Sequence, residues 1–210
     1  MAATQRIIDL RKLLTERFQQ PPTLTGGQIN VPLLEQTLEG GGLRKGAITE
    51  IISPNPSAGS ALLIHSLLQI AQRDRFFLAL IDGRDSFDVY DAGSLQHLLW
   101  VRCEKASTAV KAADFLLRDG NFPLVILDLV LNPADELRRI PATSWYRLQR
   151  LVEPTPTAFV VISRHNMVAS ARTKIVLENR WSLADLSRDN PSTQLHFKVR
   201  RAKAIAVAIG

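Results

Sequence analysis

Residues 5–19, QRIIDLRKLLTERFQ, set Ile7, Leu10, Leu14 and Phe18 at three- and four-residue spacing, which predicts an amphipathic helix. The PPTLTGG segment ends it, because two prolines cannot continue a helix. A short helical pattern runs from Pro32 through Leu33, Leu34 and Leu38 to the glycines at 40–42. The rhythm then changes. AITEIIS (47–53) reads as a strand, SALLIHSLLQIAQRD (60–74) as a helix and FFLALID (76–82) as a buried strand. SLQHLLWVRC (94–103) predicts a short helix followed by a strand, and STAVKAADFLLRDG (107–120) a helix closed by Gly120. PLVILDL (123–129) and TAFVVIS (157–163) read as buried strands around a helix at SWYRLQRLVE (144–153). QLHFKVRRAKAIAVAI (194–209) supplies one or two terminal strands. Continuous apolar strands alternating with helices predict an α/β fold, a mainly parallel sheet with helices on both faces. The expected organisation is an N-terminal helix and Pro/Gly linker over 1–29 and one domain over 30–210, without internal repeats.

Composition narrows this picture. The 210 residues suffice for one α/β domain with a sizeable core, and 46% apolar content excludes wholesale disorder. No run approaches a transmembrane helix, and the charged N-terminus lacks a signal-peptide core, so the expectation is cytoplasmic, with no membrane contact. The single cysteine, Cys103, can form neither an internal disulfide nor a cysteine metal cluster, and reads as a small buried hydrophobe. His65, His97, His165 and His196 are dispersed, so no metal is expected. Net charge is +6 and the isoelectric point about 9.9. Arg6, Arg11, Lys12 and Arg17 near one end, with Lys198, Arg200, Arg201 and Lys203 near the other, fit a polyanion or an acidic partner surface. In a strand, Lys198 and Arg200 share one face and Arg201 and Lys203 the other.

In an open parallel sheet, ligands bind beyond the carboxyl ends of the strands. Three ends stand out: the loop after Ile52, Asp82 and Asp128. A working phosphate loop has the form G-x-x-x-x-G-K-[ST], in which backbone N–H groups cradle phosphates, lysine reaches the terminal ones and a hydroxyl holds Mg²⁺. Here Ser53 replaces the first glycine, Pro54 and Pro56 lack N–H donors, and Gly59-Ser60-Ala61 stands where G-K-T would. No lysine occurs between Lys45 and Lys105. The context is that of a phosphate loop and its functional groups are missing. Asp82 and Asp128 read equally well as strand-end caps. No G-x-S-x-G surrounds Ser163, which excludes a hydrolase elbow of that kind. Arg164 and His165 read as a solvated loop, with a polar contact role as the alternative. Trp100, Trp145 and Trp181 read as packing residues.

GGGLRKGAITEI (40–51), FFLALID and PLVILDL resemble the core of the RecA-type recombinase ATPases, over roughly residues 30–205. That family runs G-G-L-x-x-G-x-[IV]-x-E-[IV] into its phosphate loop, with a second strand ending in Ile-Asp and an aspartate-ended Walker B strand. LLWVR (98–102), the short length and the degenerate loop are similar to the ImuA-type branch, RecA-like relatives of SulA-type division inhibitors encoded beside a Y-family polymerase homologue. The resemblance places the Walker B aspartate at Asp128 and gives the Walker A lysine no counterpart. After the second-strand Asp82, where the family has its catalytic glutamate, it places Arg84, with Asp85 one residue further. It puts Arg201 and Lys203 where two family lysines reach a neighbouring subunit's nucleotide.

The resemblance implies a RecA-like pseudo-ATPase with no catalytic residue, acting as a non-catalytic accessory in DNA-damage tolerance and translesion synthesis. The implied partners are an ImuB-type polymerase homologue, DNA, and RecA or a second copy. The basic terminal strand would contact DNA or a protomer, and the helix carrying Ile7, Leu10, Leu14 and Phe18 a partner. No cofactor is implied, and Ser57, Ser60 and the backbone N–H groups leave weak ATP binding open. The alternatives are an active RecA- or KaiC-like ATP-binding protein and a SulA-like cell-division inhibitor.

Overall fold

A computed structural model describes residues 27–38, 40–55, 57–88, 96–179 and 195–202, with residues 201 and 202 described by backbone alone. The expected N-terminal helix, with Ile7, Leu10, Leu14 and Phe18, lies outside the described residues, as do Trp181 and Lys203. The first described element is an antiparallel ribbon of β1 (Gln28–Asn30) and β2 (Gly42–Arg44). The short helical pattern after Pro32 is a single 3-10 turn, Pro32–Leu34. Ile29, Val31, Leu34 and Leu43 are all buried in the main core. The boundary expected between 29 and 30 therefore falls inside β1.

The chain continues through β3 (Ala47–Ile52), α1 (Ser60–Arg73), β4 (Leu78–Asp82), β5 (Leu98–Arg102), α2 (Ala106–Asp119), β6 (Leu124–Asp128), α3 (Ala134–Arg138), α4 (Ala142–Val152), β7 (Ala158–Ser163), β8 (Thr173–Leu177) and β9 (Phe197–Ala202). The larger sheet has the order β5-β4-β6-β7-β3-β8-β9. All its pairings are parallel except β8 with β9. Both faces are covered, which is why the strands read as apolar runs rather than alternations. On β6, Leu124 and Ile126 pack towards α1, while Val125 and Leu127 pack towards α2 and α4. α1 brings Leu63, Ile64, Leu67 and Leu68 to the first face, and α2 and α4 bring Ala109, Ala113, Leu117, Trp145 and Leu148 to the second. Gly120 closes α2 in the left-handed conformation, φ 68°.

Some elements depart from the sequence pattern. Gln96 and His97 form a short 3-10 turn where a helix was expected, and β5 follows at once. β8 and the short α3 were not expected at all. β9 is antiparallel, and its ladder slips: Lys174 pairs with Arg201 but Ile175 with Val199. The extra residue is a bulge, so the strict alternation that would put Lys198 and Arg200 on one face is interrupted there.

Candidate functional site

Parallel pairing brings the expected strand ends to one edge of the sheet. Asp82 is the register partner of Asp128, Asp128 of Ile162, and Ile52 of Ser163. The loop after β3, both aspartates and Ser163 therefore share the edge where α/β sheets bind ligands.

The loop over 53–60 is held chiefly by main chain. Ser53 is fully buried; its N–H donates to the Ser163 carbonyl at 2.8 Å and its hydroxyl to the Asn55 carbonyl at 3.0 Å. The Ala58 N–H donates to the Asn55 carbonyl at 3.0 Å, closing a turn that begins just after the exposed Pro54. Asn179 reaches in from beyond β8, donating from Nδ2 to the Ala58 carbonyl at 2.8 Å and accepting the His196 N–H at 2.7 Å. Gly59 caps α1 with φ 102°, a conformation side chains rarely adopt. Buried Ser60 opens the helix, while Ser57 is exposed. Among the described residues no side chain caps α1, and its first turn holds no acidic residue. The helix end thus keeps its partial positive charge. Counted forward from Ser53, the position of the phosphate-loop lysine is Gly59. Counted back from the helix cap, it is Ser60. Neither supplies an ammonium group.

The carboxylate of Asp82 is occupied. It is buried and accepts the N–H groups of Arg84 (3.2 Å), Ser86 (2.8 Å) and Phe87 (2.7 Å), plus the Ser86 hydroxyl at 3.4 Å. That is a turn-holding arrangement. Gly83 lies so close to the next strand end that a Cβ there would sit 2.6 Å from the Asp128 carbonyl oxygen and 2.4 Å from Asn132 Oδ1. Arg84 turns to the Glu104 carbonyl at 3.0 Å and lies 3.9 Å from Glu136. Asp85, at φ 55°, forms a two-bond pair with Arg102, which holds its carboxyl below the ordinary range. Arg102 in turn lies over Trp100, which meets Phe87 edge-on.

Asp128 is different. It accepts a hydrogen bond from the Val130 N–H at 3.0 Å. Burial pushes its carboxyl up to about 6, the Val130 bond opposes this, and the Asp82 charge adds to it. Beside it, Asn132 donates to the Gly83 carbonyl at 2.8 Å and to Glu136 at 3.3 Å, and Glu136 accepts the Ala106 N–H at the start of α2. Arg164 donates to the Val130 carbonyl at 2.7 Å rather than standing free in solvent, and His165 is exposed.

A buried ion pair escaped the sequence reading. Glu50 on β3 and Lys174 on β8 are register partners, with Nζ 2.7 Å from Oε2 and both side chains buried. Oε2 meets the ammonium group without a well-aligned hydrogen bond. Oε1 accepts the N–H groups of Met167 (2.6 Å) and Val168 (2.9 Å), and Asn166 also bonds Lys174. The signal was a charge inside each of two apolar runs, AITEII and TKIVL. Of the basic strand, Lys198 and Arg200 are exposed, with Lys198 3.8 Å from Glu178. Among the described residues, no group of three or more His, Cys, Asp or Glu could hold a metal, and no helix is long and apolar enough to cross a membrane. Cys103 is buried, and burial and then the Asp82 charge push its thiol up.

No family model matches the chain. RecA of Chloroherpeton thalassium is 31% identical over 168 residues, which cover 76% of this chain and 46% of that protein. RecA of Desulforapulum autotrophicum is 29% identical over 125 residues, 58% of this chain and 35% of that protein. RecA of Cytophaga hutchinsonii is 30% identical over 123 residues, 57% and 34%. The chain spans less than half the length of these curated relatives. It is RecA-like in its partial sequence similarity and in its α/β core.

Proposed function

We propose that this chain is a RecA-like pseudo-ATPase that works as a non-catalytic accessory in DNA-damage tolerance, by binding rather than by turnover. The observation that carries the reading is the loop over 53–60, where a glycine caps α1 and no lysine is available. Phosphoryl transfer relies on positioning and charge stabilisation, so losing the phosphate-bound cation removes a main contribution. The surroundings support it. Arg84 stands where the resemblance expects a catalytic glutamate, and Asp82 is taken up by its own turn. Asp128, the Walker B counterpart, remains as a carboxylate without its usual company.

The ImuA-type resemblance supplies the partner: a Y-family polymerase homologue of ImuB type. Co-expression followed by size exclusion, with and without ATP and Mg²⁺, tests this. A complex of the same stability in both conditions supports the accessory role, and a complex that forms only with ATP refutes it. DNA is the second proposed partner, supported by the exposed Lys198 and Arg200. Neutralising both is expected to weaken DNA binding and flatten its salt dependence by about one unit for each phosphate no longer neutralised. Unchanged affinity and slope would remove the strand from the DNA interface.

A further inference from the structure

α2 and α4 lie side by side on one face of the sheet and leave a groove of about 340 Å³ between them. Val110, Lys111, Asp114 and Phe115 line it from α2, and Ser144, Arg147 and Leu148 from α4. A neighbouring hollow shares Ser144 and Arg147 with it and is lined further along α4 by Arg150 and Leu151. Phe115 is 74% exposed, the most exposed of the large hydrophobic residues described. α2 does not need it for its own packing, because the helix already buries Ala106, Ala109, Ala113 and Leu117.

The charges here are unequal. Lys111, Arg147 and Arg150 face a single carboxylate, Asp114. Asp114 is bound at 2.6 Å by Arg118 and at 2.6 Å by Arg147. Burial raises its carboxyl, but the two arginines together lower it by more, leaving it below the ordinary value. It therefore serves as an internal anchor that fixes the Arg147 guanidinium at the groove wall. Fixed arginines and a projecting aromatic beside an aliphatic floor are the composition of a protein-binding hot spot.

We infer that this groove docks an acidic amphipathic helix of a partner protein. An apolar side chain would rest beside Phe115 and Leu151, with carboxylates towards Lys111, Arg147 and Arg150. Charge complementarity selects this occupant. A phosphodiester strand would leave the aliphatic floor unmatched. The chain's own amphipathic segment carries Arg6, Arg11, Lys12 and Arg17 against Asp9 and Glu16, the wrong sign for a second copy. The inference names a surface for the accessory role proposed above but does not need the loss of ATPase activity, so an ATPase assay and the test below fail independently.

Fluorescence anisotropy on the full chain tests it with three labelled probes. One is a helical peptide of about sixteen residues with leucines at i, i+3, i+4 and i+7 flanked by glutamates. The second has lysine for each glutamate, and the third is an oligo-dT strand. The acidic peptide is expected to bind and the lysine peptide not. Phe115→Ala, and separately Lys111→Glu with Arg150→Glu, should each weaken binding about tenfold or more. Arg73→Glu, on the opposite face, should leave it unchanged. These side chains are exposed, so coincident melting curves will distinguish a weakened interface from a damaged fold. The inference is overturned if neither peptide binds, if both bind alike, or if the groove variants have no effect. It is equally overturned if the groove instead holds oligo-dT, or if light scattering reveals self-association that Phe115→Ala abolishes.

Discussion

Three loops leave the same edge of the sheet, and two of them are fastened differently from the third. The loop after β4 is gathered around the buried Asp82 carboxylate, and the loop after β7 around Glu50. Among the described residues the loop after β3 has no charged anchor; Ser53, Asn179 and main-chain bonds hold it. The difference teaches where the polar chemistry of this edge has gone. Buried carboxylates serve as internal acceptors for backbone N–H groups, while the end of α1 keeps its positive pole without a side chain to complete it.

The largest effect should come from breaking the Glu50–Lys174 pair. Lys174→Met leaves a buried carboxylate unpaired, with an expected loss of about 3–5 kcal/mol in urea unfolding. Pairing it with Glu50→Gln should recover most of that, since the amide oxygen still accepts from Met167 and Val168. Equal losses in the single and double variants would contradict the assignment. Next, Asp82→Ala strands several N–H groups at once and should cost about 3 kcal/mol. A loss below about 0.5 kcal/mol would show that the turn holds itself. Gly83→Ala should cost about 1–3 kcal/mol, because its Cβ meets backbone as well as Asn132.

Asp128 gives a pH signature of the opposite sign to most carboxylates. Its folded pKa, about 6, lies above the unfolded value, so between those values the folded state binds more protons. Its contribution is fully present below the unfolded pKa and is lost as pH rises through about 6. Asp128→Asn should remove this slope and raise stability at pH 7 by about 1–3 kcal/mol. A slope that persists in the variant would assign it to another group. The smallest effect belongs to the loop after β3: Ser57→Ala should change stability by less than about 0.5 kcal/mol.

The same contrast explains what could be read from sequence. The parallel sheet was legible because β4, β6 and β7 are apolar on both faces. β8 was not, because Lys174 interrupts a five-residue run and its neutralising partner lies on another strand. The missing lysine was visible as an absence along the chain. The groups that occupy the edge were not, since Asn132 meets Gly83 across 49 residues and Asn179 meets Ala58 across 121. Sequence patterns carry local periodicity; these contacts exist only once the strands are paired.

The central claim is that the loop after β3 no longer supports phosphoryl transfer, and magnesium-dependent ATP hydrolysis by the purified chain tests it most directly. The account predicts no turnover above background, in wild type and Asp128→Asn alike. Turnover approaching that of a working phosphate-loop enzyme, abolished by Asp128→Asn, would contradict it.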